Sequence, residues 1–539
     1  MLIPTGASGS ASAGFDTTLI GNSVWLDGSA DFLSKTFSSG SAQTRLVFAA
    51  WVQRNSFTGT DQAIFSGLKN ISGTNLVNRF VWHASDDMIE IHIEDVNAAT
   101  IAYKTSRVFR DIGWYHLILS IDSNETDSVQ LYVNGVRETT LALTSGSALS
   151  AAPAAWGNAG LHTIGAYNNG ASNYSFLNNY VAQATMLVGQ SIQNSDVAVT
   201  DFLDSFTFGT NGSQYVPKAD ADIAALATTA GGNSFCLDFA DSSGTDAVNL
   251  GNDISSNNND FTPTSMSSTN QSTNTPSLVY PKISNIGTPS GDTAANYTMG
   301  LGSNRMVYSG GNQVSKGLIS PTLIQPDDPK IYWEFYIEDG YPGFPGGLLG
   351  NGIAVPNFNA GNFNGFYGPG GESAFRYRGA MYDNGVASVS GSTVTPVGGI
   401  QQMAFEPSTG KVWIGVDGTW RNGAGTSGTT LDESNPDDQL TVQDYVFTMG
   451  ANRSSDIGVI NFGDNPTMSG NITAGGNADE NGYGNFKHAV PSGFLAPNSA
   501  NLTAPEYQGI DYFKPVLYTG NGTAIGSGGK AVTGVGWQP

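Results

Sequence analysis

The chain reads as a series of short apolar strands separated by small polar turns. In RLVFAAWVQR (45–54), Leu46, Phe48, Ala50 and Val52 alternate and share one face. In VQLYVNG (129–135), Val129, Leu131 and Val133 face one way, with Gln130 and Tyr132 on the other. KIYWEFYIED sets Tyr332, Glu334 and Tyr336 against an apolar stripe of Ile331, Trp333, Phe335 and Ile337, which predicts a half-buried strand with an aromatic inner face. EIHIED places Glu90, His92 and Glu94 opposite Ile89, Ile91 and Ile93. Two tight reversals stand out, Asn134-Gly135 and Asp417-Gly418, because a type I′ hairpin needs positive φ at both central residues and these pairs tolerate it. Period-two alternation and regular turns predict an all-β protein built as two tandem antiparallel β-sandwiches with extended N- and C-terminal arms.

At 539 residues the chain exceeds what one core supports. Residues 1–20 are Gly/Ser/Ala-rich and predict a flexible or docked arm. Residues 21–205 carry the first strand series, and 206–290 a short strand followed by a polar connecting segment. By composition alone 262–290 is a linker. Residues 291–505 hold the second series and 506–539 a β-rich tail.

Composition narrows the function. The 69 glycines and 12% charged residues leave few good helix formers. A net charge of −23 repels phosphate backbones and anionic membrane surfaces, so nucleic acid is not an expected partner. No apolar run reaches the ~18–20 residues that span a bilayer, so membrane insertion is not expected. The opening residues lack the basic start and apolar core of a signal peptide. The lone Cys236, in the apolar run SFCLDF, is expected to pack as a small buried hydrophobe.

The motif string VWLDGSADFLSKTF, FAAWVQR, IFSG, GWYHLILSID, LYVNGV and HTIGAY resembles the laminin-G-like, concanavalin-A-like jelly roll over most of 21–190. That family includes lectins, adhesion modules and some glucanases, so the resemblance implies a fold and a tendency to bind sugars. KIYWEFYIE, MAFEPSTGKVWIGVDGTW and INFGDNP resemble the SPRY domain, a bent sandwich used for protein or glycan recognition. FCLDFADSSG and its polar sequel, with PSGFLAPNSANLTAPE, are similar to segments of large virion proteins of tailed bacteriophages. Residues 506–539 look like the opening of a further β-repeat of such proteins, which leaves a short product or a processed or partly represented longer protein as alternatives.

The resemblance implies a structural virion protein, assembled in the bacterial cytoplasm and most simply a tail fibre or appendage subunit. Expected partners are other virion proteins, itself (a homo-oligomer such as a trimer) and a host-surface glycan or protein. A head or decoration protein without receptor role and a glycan-degrading jelly-roll hydrolase are the alternatives. EIHIED is similar to the catalytic strand of laminarinase- and lichenase-type endo-β-glucanases, whose pattern is Glu-x-Asp-x-Glu. Here His92 stands where those enzymes carry an orienting Asp, and an imidazole does not replace it. The strand is therefore read as a polar face, and the protein as non-enzymatic.

Candidate ligand-binding residues lie on loops that pair aromatic rings with amides, chemistry suited to sugar rings. They are Tyr167, Asn168, Asn169, Asn173 and Tyr174 in the first sandwich, and Tyr377, Tyr382 and Trp420 in the second. Trp420 reads equally as a packing residue. The five histidines (83, 92, 116, 162, 488) show no zinc spacing. DISSNNNDFTPT starts like a calcium loop but lacks the Gly and Glu of an EF-hand. Asp253, Asn257, Asn259 and Asp260 remain weak candidates for a looser Ca²⁺ site, and no other cofactor is expected.

Overall fold

The computed structural model describes residues 18–503, apart from 55–59, 111, 208–212, 245, 247–248, 284–296, 301–303, 310–315, 341–348, 357–372, 377–380, 384–385, 390–394, 426 and 452–455. The N-terminal arm (most of 1–20) and the 506–539 tail thus lie outside the described residues.

The chain is almost wholly antiparallel β, stacked as two sandwiches. In the first, the back sheet runs Val136–Arg137, Val129–Val133, Trp114–Asp122, Arg45–Arg54, Asn179–Val188, Ser23–Trp25 and Gln271–Ser272, with Phe235–Leu237 also paired to Asn179–Val188. The front sheet runs Ala142–Ser145, Thr100–Lys104, Ile89–Glu94, Thr74–Trp82, Gln62–Ile71, Gly160–Ile164, Phe32–Phe37 and Thr262–Thr264. Between them lies one apolar core, into which Leu46, Phe48, Ala50, Val52, Ile89, Ile91 and Ile93 all point. Phe48 and Phe65 stack across it with centroids 4.2 Å apart.

Both hairpin pairs adopt the left-handed conformation their residues permit: Asn134 and Gly135 at φ 50° and 76°, Asp417 and Gly418 at 46° and 83°.

The strand Arg45–Arg54 is buried on both faces. Its other face, Val47, Ala49 and Trp51, meets a second apolar cluster containing Phe202, Ile223, Ala227, Cys236 and Val279. Ile223 and Ala227 come from the helix Asp220–Ala230, which the strand-only reading missed. The polar stretch after it is no free linker. Thr262–Thr264 pairs with Phe32–Phe37 at the edge of the front sheet, and Gln271–Ser272 pairs with Ser23–Trp25 at the edge of the back sheet. Asn274, Thr275 and Ser277 are fully buried. Asn270 donates to Trp25 O and Asp31, and Asn274 donates to Gln53. Ser, Thr and Asn side chains here satisfy buried polar groups from inside, so a composition that reads as solvated is interior.

In the second sandwich one sheet runs Tyr297–Gly300, Arg305–Tyr308, Ile457–Asn461, Ile331–Asp339, Ile400–Glu406, Lys411–Val416 and Thr419–Trp420, with Asp438–Gln439 on Lys411–Val416. The other runs Lys316–Ile324, Tyr445–Ala451, Gly350–Ala354, Ser373–Arg376, Met381–Asp383 and Val386–Val389. The strand Ile331–Asp339 is buried on both faces, not one. Trp333 meets Phe447 in the core, while the opposite face is covered by residues 485–496. There Glu334 accepts the backbone N–H of Lys487 (2.9 Å) and His488 (2.8 Å) and the hydroxyl of Tyr332 (2.8 Å). Burial raises its carboxyl above the usual range, and these donors oppose that rise.

The two sandwiches touch directly. Lys282, which follows this polar stretch, forms a buried ion pair with Asp464 of the second sandwich, and its ammonium lies 3.3 Å from the Tyr180 hydroxyl. Asn304 donates to Asp464 at 3.0 Å. Val279 and Ser499 exchange two hydrogen bonds, of 3.0 and 2.8 Å.

Candidate functional site

The outward face of the front sheet is polar because alternation sends every second residue of each strand away from the core. Register then assembles those residues into a row. Arg79 is directly opposite His92 on one side and Ser66 on the other, and Ser66 is opposite Thr163. The Ser66 and Thr163 hydroxyls lie 2.6 Å apart, and both donate to Ala166 O, at 3.1 and 2.7 Å.

That carbonyl starts a hairpin lying on this face. Gly165 makes the turn at φ 87°, where a Cβ would meet the Leu26 side chain at 2.4 Å. Tyr167–Asn168 then pairs with Asn173–Tyr174. Asn168 donates to Asn173 at 2.7 Å, and Asn169 Oδ1 accepts from the backbone of Ala171 and Ser172. Asn75, at the neighbouring hairpin, donates to Asn169 O. The five loop residues singled out in the sequence are thus one rigid unit, with Tyr167 and Tyr174 ring centroids 6.3 Å apart. Tyr174 is 46% exposed.

Arg79, a single cation within an apolar strand, carried no local signal that would single it out. Its guanidinium lies over the Tyr167 ring, 5.6 Å from the centroid. It also reaches Glu90 at 3.2 Å and Asp61 at 3.7 Å. Glu90 stands 3.9 Å from His83, which contacts Asp86 at 3.0 Å, and Lys104 pairs with Asp86. Burial first, and the Arg79 charge second, push His92 down to about 4, so its imidazole is neutral near pH 7. Glu94 accepts the Val77 N–H. The strand of Glu90, His92 and Glu94 and the aromatic hairpin, read separately in the sequence, are parts of one surface. Two tyrosine rings, four amide side chains counting Asn75, and a guanidinium held between carboxylates offer stacking faces, donors and acceptors in fixed positions, the chemistry that orients a sugar ring.

The other candidates fall elsewhere. Trp420 is 3% exposed and packs on Tyr332 at 6.1 Å, so it is a core residue and offers no ring to a ligand. Tyr377 lies outside the described residues. Tyr382 pairs with Phe375 in a short strand of the second sandwich, apart from the front-sheet face. The weak calcium candidates form a hydrogen-bonded knot. Asp253 Oδ1 accepts Cys236 N and Ser255 N, and Oδ2 accepts the Ser255 hydroxyl and Asn259 N, which occupies about four lone-pair positions. Asp260 accepts Asp253 N, while Asn257 and Asn259 donate to backbone carbonyls. This set is built to pin a loop. Among the described residues no group of three or more His, Cys, Asp or Glu is placed to hold a metal ion.

Residues 27–177 match the sequence model of the concanavalin A-like lectin/glucanases superfamily. No curated protein matches the chain. Similar solved structures include a heptameric SAP-like pentraxin from Limulus polyphemus, at 14% identity over 32% of this chain and 77% of that one, with a TM-score of 0.25. The SPRY domain of human HERC1 matches at 15% identity over 30% of this chain and 91% of its own, with a TM-score of 0.22. The enzymatically active domain of tailspike protein 2 of bacteriophage CBA120 matches at 10% identity over 30% of this chain and 25% of that one, with a TM-score of 0.23. A Trypanosoma rangeli sialidase matches at 11% identity over 28% of this chain and 22% of its own, with a TM-score of 0.20. The last two correct the expectation of a non-enzymatic protein: enzyme domains stand among the structures this chain is similar to. At these scores none of the four lends it a reaction. The first sandwich is a jelly roll of the concanavalin-A-like kind.

Proposed function

We propose that the protein is a carbohydrate-recognising virion subunit of a tailed bacteriophage, a tail fibre or appendage that meets the host surface through its first sandwich. The observation that carries this reading is the Tyr167–Tyr174 hairpin fixed above the polar row of the front sheet, with Arg79 under the Tyr167 ring. Tyr167, Asn168, Asn169, Asn173 and Tyr174 form the ligand-facing set, and Arg79 and Glu90 complete its floor. The virion assignment rests on the resemblance of the connecting and closing segments to phage virion proteins. In this reading 21–205 and 291–505 are tandem recognition units, and the subunit assembles with copies of itself and with other virion proteins.

Two measurements test it. A glycan array probed with the full chain and with its Tyr167→Ala and Tyr174→Ala variants should give binding that both substitutions abolish. Binding to no glycan, or equal binding by the variants, would refute the site. Immunogold labelling of particles should mark the tail, and uniform decoration of the capsid would place the protein in the head.

A further inference from the structure

We propose that the cleft between the two sandwiches is a second binding site, one for an uncharged saccharide unit. Its volume is about 350 Å³, within the ~300–1,000 Å³ range of small-ligand sites. The first sandwich contributes Trp25, Tyr180 and Gln271, and the second contributes Asn465, Thr467 and Asn485.

Three features define the ligand. The first is charge. Asp464 is the one charged side chain among the described lining residues, and it is already neutralised by Lys282 and held by Asn304. An anion would find no unpaired cation there, on a chain of net charge −23. A cation would have to displace Lys282.

The second is open hydrogen-bonding capacity. Gln271 spends its amide N–H groups on Phe239 O and Ala240 O, at 2.8 and 2.7 Å, leaving Oε1 with no protein partner among the described residues. Asn485 uses Oδ1 to accept Gly476 N, and its Nδ2 has no hydrogen-bond partner among the described residues. The Ser268 hydroxyl at the rim is likewise unengaged among the described residues. An acceptor, a donor and a hydroxyl around one cavity suit a polyol.

The third is the aromatic floor. Trp25 and Tyr180 pack at 5.0 Å with a 57° tilt and border the cleft. Both rings are buried, at 2% and 3% exposure, so they close the floor of the cleft and leave its open hydrogen-bonding groups to define the ligand. Because the walls belong to different sandwiches, a bound sugar bridges them. This site is separate from the front-sheet face and does not depend on it.

Saturation-transfer NMR on the full chain tests the proposal, with D-glucose, D-galactose, N-acetyl-D-glucosamine and N-acetylneuraminate as probes. Ser268→Trp should close the mouth, since Ser268 is exposed and makes no hydrogen bond with its side chain among the described residues. Asn485→Ala removes one donor, and its loss should weaken binding about fivefold. Transfer to a neutral sugar that persists in Tyr167→Ala, disappears in Ser268→Trp and weakens in Asn485→Ala supports the site. No transfer to any neutral sugar overturns it. So does transfer unchanged by Ser268→Trp, or a preference for N-acetylneuraminate. Transfer lost in Tyr167→Ala and kept in Ser268→Trp assigns all binding to the front sheet, refuting the cleft and leaving the first site standing.

Discussion

Arg79 and Tyr167 are 88 residues apart in sequence, yet the guanidinium of one lies over the ring of the other, at 5.6 Å. The pairing holds the hairpin against the sheet, and Glu90 and Asp61 lie beside the guanidinium at 3.2 and 3.7 Å. Replacing Arg79 with Ala should therefore weaken glycan binding more than it weakens the fold. A partly exposed cation–π contact and ion pair contribute about 1 kcal/mol to stability. Thermal unfolding of Arg79→Ala together with a binding isotherm checks this. A variant that binds like the parent would remove Arg79 from the site.

Trp420 should behave in the opposite way. Truncating a buried tryptophan costs about 3–5 kcal/mol, so Trp420→Ala should lower the unfolding temperature markedly. Because Trp420 packs on Tyr332 in the second core, glycan binding by the first sandwich should survive at temperatures where the variant is folded. A stable variant with lost binding would return Trp420 to the ligand set.

The strands were legible where the signal is local. Asn134-Gly135 and Asp417-Gly418 mark their turns because the backbone demand and the residues that meet it are adjacent. Alternation at Ile89, Ile91 and Ile93 located the inner face of that strand. What sequence could not give was coverage. Arg45–Arg54 and Ile331–Asp339 each carry a second buried face, supplied by segments far along the chain. The helix Asp220–Ala230 was missed because it buries only Ile223, Ala224 and Ala227, too weak a stripe to read. Asn270, Asn274 and Thr275 read as solvated when their partners were unknown. In the site, the loop residues were visible as a cluster, whereas Arg79 joins them only through register across neighbouring strands.

The junction rests on Lys282 and Asp464. Removing one partner of a buried pair leaves the other charge uncompensated, at a cost of about 3–5 kcal/mol. Lys282→Met and Asp464→Leu should each destabilise by that order, and the double variant by much less than their sum. Chemical denaturation of the three variants measures this. Additive losses would show that the two side chains act independently.

Asp220 should tune stability with pH. Burial pushes its carboxyl up to about 7, against hydrogen bonds from Gln183 and Gly21 that favour the ionised form. A carboxyl whose folded pKa is raised adds stability that is full below its unfolded pKa, near 3.8, and is lost as pH rises through about 7. Asp220→Asn keeps an oxygen for Gln183 and removes the titration. Above pH 7 it should gain on the order of 1–2 kcal/mol over the parent, after discounting for partial exposure, and the gain should vanish near pH 4. Melting curves across that window check the sign. A variant less stable than the parent at pH 8 would contradict it.

The edge pairing of Ser23–Trp25 with Gln271–Ser272 brings the two ends of the first sandwich side by side, and Ile20 N donates to Ser277 close to where the second sandwich begins. Entry and exit therefore share one pole, on the back sheet. The chain enters the fold from behind, while the tyrosine hairpin looks outward from the opposite sheet. The jelly roll is thus mounted like a signboard, fastened at its rear sheet and open at its front, so the face that carries the tyrosine hairpin is clear of the chain's own entry and exit.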